Sequence, residues 1–212
     1  MGELNSIDHA EAAGKVVLIH LGNGVSLAAV LDGKSIDTSM GFTPISGVMM
    51  GSRSGDMDPG LVGFLARTEG FDAKQFDVMV NSRSGLLGVS ETSADMRELL
   101  AHEIEDHRAA EAIALFCYQI KKCIGSFAAA LGGLDTLVFT GGMGEKSPVI
   151  RARICEGLGF LGVQLDATRN ETNAAVISAD AAVAKVKVRV IPTNEEIVIA
   201  RAVCRIVGIR EG

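Results

Sequence analysis

The sequence has no tryptophan, a single tyrosine and only four prolines among its 212 residues, whereas glycine occurs 25 times. Nearly half of the residues, 48%, are hydrophobic. A chain that is poor in proline but rich in glycine and apolar residues indicates tight turns and close backbone packing around a core, and it argues against a disordered linker. The length suits one large domain or two small ones.

Positive charge, long apolar runs and paired cysteines are also scarce. The formal net charge is −6, so the chain lacks the basic surface that nucleic-acid binding requires. No uncharged apolar run reaches the ~18 residues of a membrane span, and the N-terminus lacks the apolar core of a signal peptide. The cysteines form no CxxC pair, so we expect reduced, mostly buried thiols in a cytoplasmic protein. They are Cys117, Cys123, Cys155 and Cys204.

Hairpin signals open the chain. The dipeptides Asn23-Gly24 and Asp32-Gly33 lie between apolar runs, which predicts three consecutive strands joined by type I′ turns. Residues 40–55 then form a loop rich in glycine, serine and methionine. We expect residues 1–15 to be a linker or a remnant outside the domain, and residues 16–212 to be the domain.

Helical patterns dominate the second part of the sequence. The longest runs from about residue 107 to residue 131, and it is followed by buried strands at 136–140 and 186–191, each with a helix after it. Strands that alternate with helices indicate a parallel portion of sheet. The expected fold class is therefore α/β: a mixed sheet that opens with a three-stranded antiparallel meander and carries helices on both faces.

Three polar turns each follow a predicted buried strand, at residues 20–24, 140–147 and 192–196. Ligands of open α/β sheets bind at the carboxyl ends of strands, so we expect these turns to converge. The Gly22–Gly24 turn lacks the third glycine of a dinucleotide fingerprint and the Gly-Lys-Ser/Thr of a P-loop, so by itself it is equally a plain hairpin. The glycines after Thr140 allow either close approach of a ligand or a tight strand-to-helix turn.

Two further sites carry chemistry that suits phosphate and metal. Arg53 lies between serines, and arginine is suited to bidentate phosphate contact, although an ion pair with Asp56 or Asp58 is the alternative. The run from Asn194 to Glu196 either caps the last helix or supplies a carboxylate for magnesium.

The motifs HLGNGVSLAAVLDGKSIDTSMGFTPISGVMMGSRSGDMDP, FTGGMGEKS and IPTNEE together closely resemble the acetate kinases, and the resemblance extends over residues 16–206. Propionate and butyrate kinases share much of the pattern. The resemblance implies an actin-like ATPase fold, related to ribonuclease H. It implies reversible transfer of the terminal phosphoryl group of ATP to a short carboxylate, giving an acyl phosphate and ADP. It further implies Mg²⁺ as cofactor and a homodimer.

The resemblance also implies roles for individual residues. Arg53 would stabilise charge on the phosphoryl group in transit, with His20 and Asn23 as further catalytic residues, and Glu195 would be linked to magnesium. Lys146 stands where the family usually has asparagine. The residues implied to contact the nucleotide are His20, Leu21, Gly22, Asn23 and Gly24 at the phosphates, and Asp95, Met96, Arg97, Gly142, Met143, Gly144, Glu145 and Lys146 beside the adenosine.

Members of that family are much longer, and this sequence resembles their C-terminal half. Another phosphate loop, an arginine, an aspartate and a histidine are therefore expected from the other half, and we expect the chain alone to turn over little substrate. A non-catalytic nucleotide-binding module, or one half of a split enzyme, is the alternative. Apolar surface left exposed without the other half predicts self-association.

Overall fold

The computed structural model describes residues 1–193, 203, 204 and 206. Its strands are β1 (Lys15–Leu21), β2 (Val25–Leu31), β3 (Lys34–Thr38), β4 (Thr136–Thr140) and β5 (Lys187–Val190). They form one sheet in the order β3-β2-β1-β4-β5. The first three strands pair antiparallel, while β1, β4 and β5 pair parallel, which confirms the predicted mixed sheet with its opening meander.

Helices cover the sheet. Those of the described residues are α1 (Gly2–Ile7), α2 (His9–Ala12), α3 (Gly60–Thr68), α4 (Ala73–Ser82), α5 (Gly85–Ser90), α6 (Met96–His102), α7 (His107–Leu131), α8 (Gly141–Lys146), α9 (Pro148–Cys155) and α10 (Ala167–Glu171), with a 3₁₀ turn at Leu158–Leu161. None of them combines the length and apolarity that a helix needs to cross a bilayer. Of the terminal helix predicted from Glu195, residues 203, 204 and 206 are described and are helical, and the other residues lie outside the described part of the chain.

The 25-residue helix α7 builds the main core on one face of the sheet. Its buried residues recur every three or four positions, so one side of the helix packs on the strands. Asp106 caps its first turn by accepting a hydrogen bond from the backbone N–H of Arg108. The sheet residues in this core are Val17, Ile19, Leu21, Val25, Leu27, Ala29, Leu137, Phe139, Val188 and Val190.

The opposite face of the sheet is covered in part by α1 and α2. Leu4 and Ala12 are buried there against Val16, Val30 and Val138. The sequence predicts a linker over residues 1–15, and the structure instead has two short helices packed on the sheet. The difference has a physical reason: only a few apolar residues mark the segment, and the sheet face that buries them is formed by residues distant in sequence.

The cysteines are unpaired in the structure, and two of the four are buried. All four thiols are free, with Cys117 and Cys155 buried and the other two half-buried. Burial raises the pKa of Cys117 and of Cys123 to about 11, and that of Cys155 to about 12. These three thiols are therefore protonated at neutral pH and unreactive.

An ion cluster fastens α2 to the last strand of the sheet. The Glu11 carboxylate accepts hydrogen bonds from Nε and Nη2 of Arg189, at 2.5 and 2.8 Å, and also pairs with Lys187. The Glu11 and Arg189 side chains are only 10% and 9% exposed. Burial raises the pKa of Glu11, but the two cations outweigh that effect and lower it from 4.5 to about 2.

We predict that Glu11→Gln lowers the free energy of unfolding at pH 7 by about 3 kcal/mol, because Arg189 and Lys187 lose their counter-charge. In the unfolded chain the Glu11 carboxylate takes up a proton near pH 4.5, whereas in the folded chain it does so only near pH 2. The difference in stability between wild type and variant should therefore shrink as the pH falls through that window. Urea unfolding followed by circular dichroism measures it.

Glu69→Gln is the matched control, because Glu69 is exposed and has no ion pair within the described part of the chain. A Glu11 variant as stable at pH 7 as the Glu69 variant would contradict the prediction.

Candidate functional site

The carboxyl ends of three strands meet at one edge of the sheet. His20 of β1 pairs in register with Thr140 of β4. Thr193, three residues after the end of β5, shares a hydrogen bond between hydroxyl groups with Thr140. The structure thus brings together residues 20–24, 140–147 and the start of the third predicted turn. Asn194 to Glu196, and with them the proposed magnesium carboxylate of Glu195, lie outside the described residues.

The turn between β1 and β2 differs from the predicted type I′ hairpin. Asp32 and Gly33, in the next turn, have positive φ as predicted, at 50° and 71°, but Asn23 and Gly24 do not. Residues 22–24 form a three-residue loop between the paired residues Leu21 and Val25. The prediction of a type I′ turn at Asn23-Gly24 is therefore wrong.

Two polar side chains lie close to the glycines of this loop, and at Gly22 the contact leaves no space for a side chain. A Cβ on Gly22 would lie 2.9 Å from Nε2 of His20, and a Cβ on Gly24 would lie 3.4 Å from Nη1 of Arg53. The Gly22 N–H donates to the Gly24 carbonyl at 3.0 Å. Among the described residues, the backbone N–H groups of Asn23 and Gly24 donate to no protein acceptor. The loop therefore sets a histidine, an arginine and open backbone donors side by side.

The loop that carries Arg53 is firmly held despite its glycines and serines. Met49 and Met50 are buried in the main core. The carbonyl groups of Met50 and Ser52 accept hydrogen bonds from Leu86 and Ser84, at 2.9 and 3.0 Å, near the start of α5. The Arg53 carbonyl itself accepts from the Met50 N–H at 3.1 Å, and the Ser54 N–H donates to the Val80 carbonyl at 2.9 Å. The backbone is therefore held on both sides of Arg53, beside the loop at residues 22–24.

The Arg53 guanidinium has no carboxylate partner among the described residues. Its Nη1 donates to the carbonyl of Pro44 at 3.3 Å and lies 3.7 Å from Sδ of Met50. Asp56 instead accepts from the backbone of Gly47, and Asp58 from that of Gly60. The surface ion pair, which the sequence left open as an alternative, does not form with either aspartate. The positive charge of Arg53 is available to an anion.

The glycine-rich stretch after β4 is helical in the structure, as α8. Gly141 has φ = +80°, and a Cβ there would lie 2.8 Å from the carbonyl carbon of Leu21 and 3.0 Å from Cε1 of His20. Gly142, by contrast, has nothing within 4 Å of its Cβ position. Gly142 and Lys146 are exposed, while Gly144 is buried and Met143 packs on the main core. The open side of α8 is thus at Gly142.

The Glu145 carboxylate is directed toward the strand ends. Its Oε1 accepts from the backbone N–H of Gly141 at 3.0 Å and from that of Thr193 at 2.8 Å. The Thr193 hydroxyl accepts a second hydrogen bond from the Gly141 N–H, at 3.0 Å. Sequence reasoning placed Glu145 beside the adenosine and did not single out Thr193. The sequence signal for Thr193 was its place directly before the Asn-Glu-Glu run at residues 194–196.

A wholly buried arginine holds the far end of α8, and sequence reasoning missed it. Arg151 donates through Nη1 to the Gly144 carbonyl at 2.8 Å, and its other donors reach Asn170 and Asn173. Burial lowers the pKa of Arg151, since none of these acceptors carries a charge. The spacing to Ile154, a buried residue three positions later on α9, was the sequence signal for an inward-facing arginine.

The segment at residues 95–97 lies next to the site, but one of its side chains is buried while the other two are partly or fully exposed. Met96 is buried in the main core, and Leu21 of the first motif is buried as well. Asp95 caps α6, and the hydrogen bonds and charge of Arg97 lower its pKa to about 2. Ala94 is the residue before Asp95, and its carbonyl oxygen would lie 3.1 Å from a Cβ placed on Gly51. The same Cβ position is also close to Asn23. Asp95 and Arg97 therefore face solvent near the loop at residues 22–24.

The chain is similar to known proteins over most of its length. A model of the acetokinase family matches residues 3–201. The chain belongs to the acetokinase family. The propionate kinase of Citrobacter rodentium is 53% identical over 193 residues, which are 91% of this chain and 47% of that protein. The acetate kinase of Dictyoglomus turgidum is 48% identical over 195 residues, 92% of this chain and 48% of that protein.

Solved structures of relatives agree on the fold. The crystal structure of Porphyromonas gingivalis acetate kinase matches with a TM-score of 0.90 at 40% identity, covering 97% of this chain and 52% of that one. A propionate kinase structure from Francisella tularensis matches with a TM-score of 0.87 at 38% identity, covering 94% of this chain and 51% of that one. This acetokinase-family chain has an actin-like ATPase fold. It spans about half the length of the curated relatives it matches.

Two neighbouring glycines of α8 should respond differently to substitution by alanine. Gly141→Ala should destabilise the protein by about 2 kcal/mol or more, because a Cβ there meets the Leu21 backbone and the conformation is left-handed. Gly142→Ala should leave stability unchanged or slightly raised, since its Cβ position is open and alanine favours helix. Thermal melting of both variants measures this, and equal melting temperatures would contradict it.

Proposed function

We propose that this chain forms the nucleotide-binding part of an enzyme that transfers the terminal phosphoryl group of ATP to acetate. The products are acetyl phosphate and ADP, and the reaction is reversible. The observation that carries the proposal is the Arg53 guanidinium, which has no carboxylate partner in the described residues and lies against the loop at residues 22–24. The names of the relatives, acetate kinase and propionate kinase, support the same chemistry.

The phosphate side of the proposed site is the edge formed by His20, the loop at residues 22–24 and Arg53. Phosphoryl transfer needs little covalent help from a protein, but it needs in-line positioning and positive charge over the transferred oxygens. The open N–H groups of Asn23 and Gly24 would bind phosphate oxygens, and Arg53 would stabilise the charge that develops in transit. His20, set against both glycine segments, would donate a further hydrogen bond.

The adenosine side of the proposed site is the open face of α8. A ligand can approach the backbone closely at Gly142, because no described residue outside the helix's own turn lies within 4 Å of the position where a side chain would begin. The exposed Lys146 would supply a polar contact on that face, and Asp95 and Arg97, near the loop at residues 22–24, would supply further polar contacts.

We further propose that the nucleotide binds with Mg²⁺. The described residues hold no group of three or more histidine, cysteine, aspartate or glutamate side chains placed for a metal. Magnesium in nucleotide sites keeps several waters and takes only one or two protein carboxylates besides the phosphates, a need that Glu195 suits chemically. The bound ion supplies positive charge over the phosphate oxygens.

Propionate is the second candidate acceptor. It is favoured by the Citrobacter rodentium relative, a propionate kinase that is 53% identical to this chain. Activity with either carboxylate would come from the chain combined with the remaining half of the site. A chain that binds nucleotide but supports turnover in no such combination would be a binding module instead.

We also propose that the chain forms a homodimer through the sheet edge at β3. All five residues of β3 are exposed, with Ile36 52% exposed and Phe42, just beyond the strand, fully so. An uncovered edge strand with apolar side chains favours pairing. Sedimentation velocity should show a dimer that the pair Ile36→Ser and Phe42→Ser converts to monomer, whereas Phe160→Ser, at another exposed phenylalanine, should not. A monomeric wild-type chain would overturn this.

Arg53→Ala should weaken binding of ATP and of inorganic tripolyphosphate by about ten- to a hundredfold, because the unpaired cation is lost from the phosphate side. The melting temperature should stay close to that of wild type, since Arg53 holds no carboxylate of the described chain. Isothermal calorimetry measures the affinities. Arg67→Ala, which removes an exposed arginine of α3, is the matched control.

The catalytic part of the proposal needs the complementary half of a relative, for example that of Dictyoglomus turgidum acetate kinase, produced separately. The mixture should form acetyl phosphate from ATP and acetate, and Arg53→Ala should abolish this while Arg67→Ala retains it. Tight binding of tripolyphosphate by the Arg53 variant would refute the assignment of Arg53 to the phosphate side.

A further inference from the structure

Glu145 contacts the chain at two places that are 52 residues apart. Its Oε1 accepts from the N–H of Gly141, where α8 begins, and from the N–H of Thr193, which follows β5. We propose that Glu145 is a positioning residue, which ties α8 to the segment after β5 and so fixes the adenosine side of the site. This inference rests on the proposed function.

The helix α8 cannot hold its own geometry. It has only six residues, three of them glycine, and glycine is among the weakest helix formers. Its position therefore depends on contacts with the rest of the protein. Arg151 holds its last turn through the Gly144 carbonyl, and Glu145 holds its first N–H.

The contact at the start of α8 is a hydrogen-bond network of four residues. The Gly141 N–H lies 3.0 Å from both Oε1 of Glu145 and Oγ1 of Thr193. The Thr193 hydroxyl also shares a hydrogen bond with the Thr140 hydroxyl, and the Thr193 N–H donates to Oε1 of Glu145. A carboxylate makes stronger hydrogen bonds to backbone N–H groups than a neutral acceptor does. Glu145 is the only charged member of this network.

The contacts of Oε1 favour this role over direct contact with the phosphates. That oxygen already accepts two backbone N–H groups, so it has little capacity left for a ligand, and the carboxylate would repel phosphate. Removing it should loosen α8 and the exposed Gly142 face, while His20, Asn23 and Arg53 stay in place. Ligands that use both sides of the site should then lose affinity, and ligands that use only the phosphate side should not.

The test compares ADP with inorganic tripolyphosphate as calorimetric ligands of the full 212-residue chain. The variants are Glu145→Ala, Glu145→Gln and Thr193→Val, with Glu156→Ala as a control that removes an equal charge from an exposed position. Hydrogen exchange of the Gly141 and Thr193 amides, followed by NMR, reports on the tie without any ligand. Melting temperatures show that each variant is folded.

We expect Glu145→Ala to raise the Kd for ADP about tenfold or more, to leave the Kd for tripolyphosphate unchanged, and to speed exchange at both amides. Glu145→Gln keeps an acceptor oxygen and should restore most of the ADP affinity. Thr193→Val should have an intermediate effect and also tests the network if Glu145→Ala does not fold. The control should match wild type.

Two kinds of failure are distinguishable. A wild-type chain that binds neither ADP nor tripolyphosphate would overturn the proposed function and this inference with it. A wild-type chain that binds both, with ADP affinity unaltered in Glu145→Ala and Thr193→Val, would overturn the inference alone. An equal loss for both ligands would also overturn it, because that result indicates general damage to the site.

Discussion

The parallel pairing of β1 with β4 is the constraint on which the site depends. It places His20 beside Thr140, so the turn that leaves one strand and the helix that follows the other begin at the same edge of the sheet. The Leu21 backbone and an imidazole then crowd the first residue of α8, which leaves no space for a side chain at Gly141. The helix α7 packs against β1 beneath this edge, and its buried side chains share one core with those of β4.

Some charged side chains maintain this frame, whereas the charge of Arg53 has no carboxylate partner among the described residues. Glu11, Glu145 and Arg151 each bind several protein groups, and their charges are used in holding segments together. In the described part of the chain, the Arg53 guanidinium donates to the Pro44 carbonyl and lies near the sulfur of Met50. A buried charge must be partnered to be tolerated, whereas a charge at an open edge can keep its capacity for an incoming anion. The same residue type, arginine, therefore serves structure at one position and is available for binding at another.

The chain has its own core although it spans about half the length of its relatives. A five-stranded sheet with helices on both faces buries a continuous apolar cluster without help from another domain. Some surfaces nevertheless remain uncovered: β3 is exposed along its length, and α3 has no buried residue. Such surfaces are typical of a unit that works in contact with further protein.

The sequence by itself determined the features that depend on local signals. Helical periodicity marked α7 and an apolar run marked β4, with the bounds that the structure has, and Asp32-Gly33 specified its turn because both positions require positive φ. The motifs identified the family. Only the tertiary structure decided features that depend on contacts between distant segments. These are the packing of residues 1–15 on the sheet, the helical form of α8, the inward-facing Glu145, the buried Arg151 and the unpaired Arg53. Whether a charged side chain has a partner depends on residues that are distant in sequence. The same is true of whether a glycine is needed for space or for its φ, so the local sequence cannot predict either.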